Sequence, residues 1–517
     1  MQKTLSILFL AIFLRQLSAQ VVEPVRIEMP ARIDVAAYQT LFFGEQGMMV
    51  YYESTETDEQ GKRKWYFSKL DTTLREQWLQ YVPLTDGLVR FDAYNDSNGA
   101  VILFSNSESK RSSSTSYEVL IFNVLNSSFQ LVGGNLPEKS TIRGMGVSGN
   151  KLLIGINLPK FESDLLLFDL RDGSMQSVSH GITGQSVIQS IEGSQKTNRF
   201  QIAVKRFENN RMAEDVFLTI NNNGEITDRW SYIADGMYLH SMTLLEGEEG
   251  SLIVAGSFDN DRRRATARAA ASASELNFEA KGVFFMRFSP NQPVTASFRG
   301  FDSFSNIYRA LSTDDLIRSR NRINRGRMIG PEPQITFQFY KPRLLAFNDQ
   351  WIFSAEAFKP QYRFETRMDY DFYGRLVPFT YSVFEGYQFF STILLSFDSS
   401  GNMLWSSDFE TRNILLPSLR SSVALIPDSN NIVLAYVLNG MLNSKVINAD
   451  GSQLGQNEQV KIESTYTNDR LLEENFASFH PWFGPYFIAT ANQRISNNRL
   501  RTNNPRSVFF VQKIILE

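Results

Sequence analysis

The sequence predicts an all-β fold, a β-propeller of about eight four-stranded blades, with seven as the alternative if one unit is irregular. Three observations predict it. Aromatic residues make up 13% of the 517 positions, with 41 Phe and 19 Tyr. Long amphipathic helical patterns are nearly missing, and Phe, Tyr, Val and Ile favour pleated, half-buried surfaces. An apolar run, a polar turn and a further strand recur, as LLSFDSSGNMLWSSDF at 394–409, LTINNNGEITDRW at 218–230, FSKLDTTLREQW at 67–78 and LFDLRDGSMQSV at 167–178. The third strand of each unit is expected to start near Trp65, Glu118, Asp164, Asp215, Gly282, Ser391, Ser444 and Arg506. Apart from one long gap, this period of about 45 to 67 residues is what four short strands with their turns require.

The elements follow in chain order. Residues 1–19 carry Lys3, an apolar run from Leu5 to Leu14 and a small-residue end at Ser18-Ala19, the pattern of a secretory signal peptide. The run is too short for a bilayer-spanning helix, which needs roughly 20 residues. The expectation is an exported protein, periplasmic or outer-membrane-associated, with no membrane span of its own and with residues 20–517 as a single propeller domain. The stretch PVRIEMPARID, 24–34, is expected to supply the outer strand of the last blade, because SVFFVQKIILE, 507–517, has no strand after it. Second strands such as GMMVYYES at 47–54, GAVILFSN at 99–106 and NNIVLAYVL at 430–438 are continuous apolar runs, as expected of strands buried on both faces. The sixth unit departs from the pattern twice. Residues 301–334 form an arginine-rich insertion whose Ser312-Thr313-Asp314-Asp315 can cap a short helix, and 359–388 form a long aromatic excursion; both should project from one rim.

Several chemistries are excluded or weakly signalled. There is no cysteine, hence no disulfide, thiolate metal site or cysteine nucleophile. Lys and Arg number 52 against 55 Asp and Glu, a formal charge of −3, which gives no electrostatic case for nucleic acid. His180, His240 and His480 fall in different units without metal-ligand spacing, and no G-x-S-x-G marks a nucleophile, although a ring can bring a distant Ser, His and Asp together. The acidic turns at Asn95–Gly99 and at Asp259, Asn260 and Asp261 lack a full calcium loop and its distal Glu. No cofactor is expected.

The remaining signals point to a protein interface. Arg262, Arg263, Arg264 and Arg268 precede an Ala/Ser run in a loop of the fifth unit, and Arg309, Arg318, Arg320, Arg322, Arg325 and Arg327 load the insertion; arginine recognises carboxylates and phosphates with two parallel bonds. Tyr362, Phe364, Tyr370, Phe372, Tyr373, Phe379, Tyr381, Phe384 and Tyr387 recur so that the excursion becomes a hairpin with its own apolar face, suited to packing or a protein interface rather than to stacking on sugar rings. The six insertion arginines with Tyr370, Phe372 and Tyr373 are therefore the candidate partner-binding residues.

The string DYDFYGRLVPFTYSVFEGYQFFSTILLSFDSSGNMLWSSDFE, 369–410, resembles a recurrent segment of exported, largely uncharacterised propeller-like proteins of bacteria with elaborate outer-membrane secretion machinery. One associate of that machinery, the periplasmic plug of the type IX translocon, is similar in rhythm. The resemblance implies a non-enzymatic propeller that binds an envelope or outer-membrane protein as a scaffold component, and it carries over no catalytic residue. The competing expectation is a glycan-binding or glycan-hydrolysing propeller enzyme, which would bring Asp/Glu from different units together at the central channel.

Overall fold

The computed structural model describes residues 25–106, 115–234, 236–260, 266–272, 279–304, 336–370, 372–497, 499 and 505–515. Among the described residues the chain builds eight four-stranded antiparallel sheets. The first has β2 (Tyr38–Phe42), β3 (Met48–Thr57), β4 (Arg63–Leu70) and β5 (Glu76–Leu84). Next come β6 (Val89–Asn95), β7 (Gly99–Ser105), β8 (Thr115–Asn123) and β9 (Ser128–Leu136), then β10 (Thr141–Ser148), β11 (Lys151–Leu158), β12 (Glu162–Asp169) and β13 (Met175–Val178). The fourth and fifth are β14 (Gln185–Ser194), β15 (Arg199–Glu208), β16 (Arg211–Asn221), β17 (Ile226–Tyr232), and β18 (Tyr238–Glu246), β19 (Leu252–Asp259), β20 (Gly282–Phe288), β21 (Thr295–Gly300). The sixth and seventh are β22 (Gln338–Phe347), β23 (Gln350–Tyr370), β24 (Leu376–Phe397), β25 (Met403–Leu416), and β26 (Ala424–Asp428), β27 (Asn431–Leu438), β28 (Met441–Asn448), β29 (Gln453–Lys461). The last sheet joins β30 (Arg470–Phe483), β31 (Tyr486–Ser496) and β32 (Arg506–Ile515) to β1 (Arg26–Pro30), which pairs antiparallel with β32.

The packing shows why these runs are strands and how the sheets sit. In β7, Ala100, Ile102 and Phe104 pack with the first sheet while Val101 and Leu103 pack with the third, so a continuous apolar run serves two faces. Apolar clusters link each sheet to the next, and one of them joins Trp482, Ile488 and Phe509 of the eighth to Met48, Val50 and Leu70 of the first. The sheets are thus the blades of a ring. First strands line its centre, and fourth strands such as β29, exposed along its length, form its wet rim.

The recurring sequence unit is the turn between third and fourth strands. Asp398 accepts hydrogen bonds at Oδ1 from the amides of Ser400 and Asn402, both at 2.8 Å, and Asn221 and Asp71 do the same in their own turns, which is how Asx residues fix a turn. The large residue that follows covers the next blade: Trp78 lies against Phe122 and Phe129, Trp230 against Phe288, and the Trp405 indole donates to the Ala449 carbonyl at 2.9 Å. Gly451, in the facing turn, has φ +84°, and a Cβ there would stand 2.4 Å from Cγ of Trp405.

Strand alternation divides the connections between two faces. Turns within the first and second hairpins of each blade lie on one face; connections from second to third strands, and from one blade to the next, lie on the other. The two longest connections, between Asp259 and Gly282 and between Gly300 and Gln338, leave and rejoin their strands on that second face, where the tip of the sixth blade at 372–375 also lies. Two expectations need correction or restriction here. The third strand of the sixth unit starts at Leu376 rather than near Ser391, because the aromatic excursion is not an insert between strands but the outward continuation of β23 and β24, which run 21 and 22 residues. The Ala/Ser run of the fifth unit, expected in a loop, forms a short helix, α1 (Ala267–Ser272), capped by Arg143, which donates to the Ala270 and Ala271 carbonyls, a favourable place for a cation. The expected helix at Ser312 lies outside the described residues, as do the signal segment 1–19 and Arg262, Arg263 and Arg264.

Candidate functional site

Two features stand out, an arm and a channel. The arm is the distal half of the sixth-blade hairpin. Pairing of β22 with β23 ends at Gln338↔Phe358 and that of β24 with β25 at Tyr387↔Leu416, so 359–370 and 376–386 pair as a two-stranded ribbon to which, among the described residues, no further strand is added on either edge. At about 3.3 Å per residue it reaches roughly 35 Å from the blade.

Register sorts its side chains. Tyr362↔Phe384, Phe364↔Ser382, Thr366↔Thr380, Met368↔Pro378 and Tyr370↔Leu376 share one face, which carries no charge. Phe364 is 78% and Tyr370 72% exposed, and Phe372 at the tip 97%. The opposite face pairs Arg363, Glu365, Arg367 and Asp369 with Val383, Tyr381, Phe379 and Val377. Its charges are matched among themselves: Arg363 bonds Glu365 at 2.6 Å, Arg367 bonds Asp369 at 3.1 Å and lies over the Tyr381 ring, and Tyr381 Oη donates to Glu365 at 2.7 Å. Tyr370, Phe372 and Tyr373 are therefore brought together at the arm's end. Arg309, Arg318, Arg320, Arg322, Arg325 and Arg327 lie outside the described residues.

The channel, where the competing expectation placed converging carboxylates, has a charged lining made mainly of cations that the sequence did not single out. A cavity of about 470 Å³ opens between the first strands of the first, second, sixth and eighth blades and the chain entering the seventh. Among the described residues four cations line it, Arg90, Lys341, Arg343 and Arg420, against one lining carboxylate, Asp92, which stands 3.8 Å from Lys341. The first strands bulge here: register shifts occur at Phe91, at Lys341-Pro342 and at Phe476-Ala477, with Lys341 and Phe476 at positive φ. A bulge re-aims the side chains beside it. His480 lines the same cavity; burial first, then Arg420 and Arg343, push its pKa down to about 4, so it is neutral at physiological pH. Glu192, on the inner strand of the fourth blade, is pushed up to about 7 by burial and then by Asp92, with Lys341 opposing. Two carboxylates from different units thus sense each other, yet only Asp92 lines the open cavity, and it does so among an excess of cations.

His180 and the turn at Asp96 have structural roles. His180 Nδ1 accepts from the Ile182 amide at 3.1 Å, which leaves the proton on Nε2, 2.7 Å from the Ser163 carbonyl; that ring is a donor toward Ser163 and cannot be its base. Asp96 Oδ1 accepts from the amides of Asn98 and Gly99, ordinary turn chemistry. Among the described residues no group of three or more His, Asp or Glu could hold a metal ion, and no helix is long and apolar enough to cross a membrane.

No family model and no curated protein matches the chain. Among solved structures, it is similar to the β-propeller domain of the Trilobed protease from Pyrococcus furiosus, at 7% identity and TM-score 0.35, covering 82% of this chain and 98% of that one. A functionally unknown protein from Desulfotomaculum acetoxidans matches at 11% and 0.36, covering 77% and 93%. The periplasmic gluconolactonase of Pseudomonas aeruginosa matches at 10% and 0.34, covering 83% and 97%. Likenesses at this level carry nothing about activity.

Proposed function

We propose that this chain is a binding propeller of the bacterial cell envelope, non-catalytic, whose ribbon arm docks a protein partner. One observation carries the reading: the arm is an isolated two-stranded ribbon with an uncharged aromatic face in open solvent. Such a ribbon is marginal in water by itself, and exposed contiguous apolar surface of this kind marks interaction sites. Tyr and Phe side chains, with two torsions each, supply contact area at little entropic cost. Because the charges on its other face are already paired, contact is apolar rather than steered by net charge. Export and a place beside an outer-membrane secretion translocon belong to the same proposal, supported by the signal-like residues 1–19 and the resemblance of 369–410.

The test is site-specific photo-crosslinking in the source cells, with the crosslinker at Phe372 or at Leu125, which is 85% exposed on the opposite face of the ring. One discrete protein adduct at Phe372, absent at Leu125 and lost when Phe364, Met368 and Tyr370 are replaced together by Ser, supports the proposal. The triple variant should fold, since surface changes typically cost within about 0.5 kcal/mol each. An adduct to lipid alone, or equal adducts with and without the substitutions, overturns it.

A further inference from the structure

The channel cavity carries an inference independent of the arm. Arg90 and Arg343 are exposed to it, and Arg420 is half-buried in its wall. Here three guanidiniums from separate parts of the ring converge, and none has an ion pair among the described residues. Arg420, half-buried at the cavity wall, donates to the Phe476 and Ala477 carbonyls exposed by the bulge in β30 and lies 5.2 Å from the Phe476 ring. Arg343 donates to Ser421 Oγ at 2.5 Å and Arg90 to Gln39 Oε1 at 2.9 Å. These direct acceptors are neutral, although Ser421 also donates to the buried Glu356 carboxylate, which stands one hydroxyl away from Arg343. Burial lowers the basicity of Arg420, with Tyr340 opposing and Arg90 adding to it, and burial lowers that of His480, with Arg420 and Arg343 adding to it.

A cluster of oriented cations, held by neutral partners around an open space, is complementary to an anion. Guanidinium forks suit planar or tetrahedral oxyanions. The volume lies in the range of small-ligand sites, about 300–1,000 Å³, and is too small for a polymer or a folded partner to enter whole. Neutral His480, with Ser478 and Tyr340 in the lining, adds polar groups able to hydrogen-bond the uncharged remainder of a ligand. We propose that the central channel is a binding site for a small organic oxyanion, a carboxylate or a phosphate ester, held between Arg90, Arg343 and Arg420.

Calorimetric titration of the full-length protein at low ionic strength tests this, with citrate and inorganic phosphate as separate probes for the two oxyanion classes. Saturable one-to-one binding of either probe is expected, weakened about tenfold or more by Arg343→Gln and by Arg90→Gln, since a hydrogen bond to a charged group is worth that much. Should a variant fail to fold, the unmutated protein still decides: saturating citrate or phosphate must protect Arg90 and Arg343 from phenylglyoxal, read by mass spectrometry. Absence of saturable binding by both probes, affinities unchanged in folded variants, or modification of both arginines at the same rate with and without the anions overturns the proposal.

Discussion

Replacing Gly451 by Ala tests the blade-to-blade contact that the recurring turn makes. Two costs add. The backbone sits at φ +84°, where a Cβ costs roughly 1–2 kcal/mol. The new methyl would also stand 2.4 Å from Cγ of Trp405, whose indole N–H is shared between Ala449 O at 2.9 Å and Gln350 Oε1 at 3.1 Å. Overpacking of this kind costs about 1–3 kcal/mol, so the sum is about 2–5 kcal/mol. Gly61 provides the control: its φ is +77° and nothing lies within 4 Å of its missing Cβ, so Gly61→Ala should show the backbone cost alone. The assay is denaturant unfolding of both variants alongside the parent, with Trp405→Ala and the Trp405→Ala, Gly451→Ala double variant completing a cycle. Removing the indole should relieve the clash, giving a coupling of about 1–3 kcal/mol. Equal destabilisation by Gly61→Ala and Gly451→Ala, or a coupling under about 0.5 kcal/mol, would refute the idea that the turn glycine is held small by the preceding blade.

Two further outcomes follow from the last sheet. Deleting residues 26–30 should bare the edge of β32 and remove Ile27 and Met29 from the cluster around Phe509, giving a lower melting temperature and concentration-dependent aggregation by light scattering; a monomeric deletion variant with unchanged melting would show that β1 contributes nothing. Glu28 and Asp469 bind Arg506 at 3.1 and 2.5 Å, and although burial opposes their ionisation, hydrogen bonds led by Thr465 for Glu28 and by Arg506 for Asp469 hold both carboxyls below their ordinary values. Their contribution is then complete above the ordinary carboxylate range and is lost as pH falls through their folded values, below about pH 4. The melting temperature should therefore drop more steeply between roughly pH 5 and 3 in the parent than in Glu28→Gln; identical profiles would contradict the assignment.

Much of the ring was readable from sequence because each blade repeats one physical problem. Strands such as β7 and β27 are squeezed between two neighbours and so are apolar without alternation, and the Asx turns announce themselves through Asp398 and Asn221. Blade number emerged for the same reason. The start of β24 was misplaced because the arm alternates like a half-buried strand, with Tyr362, Phe364, Met368 and Tyr370 on one side and Arg363, Glu365, Arg367 and Asp369 on the other, yet it is the second and third strands themselves, running on past the blade. The channel arginines escaped notice for a different reason. Arg90, Arg343 and Arg420 sit alone in LVRFDAY, FYKPRLLAF and PSLRSSVAL, and only ring closure makes them neighbours. The faint signal available was a cation at or just before the first strand of three separate units.

The pairing of β1 with β32 also bears on when the molecule can become itself. Arg26 reaches Gln512 across 486 positions of chain, so a nascent chain holds β1 in reserve until β32 has been made. Contacts of such long sequence separation form late and slowly. In the interval the edge that β1 will cover and the apolar seam between the eighth and first blades stay open, and the unfinished ring is at its most vulnerable to aggregation and proteolysis. A chain of this design gains from a period in which it is kept extended, and its maturation is timed by synthesis of its final strand rather than of its first.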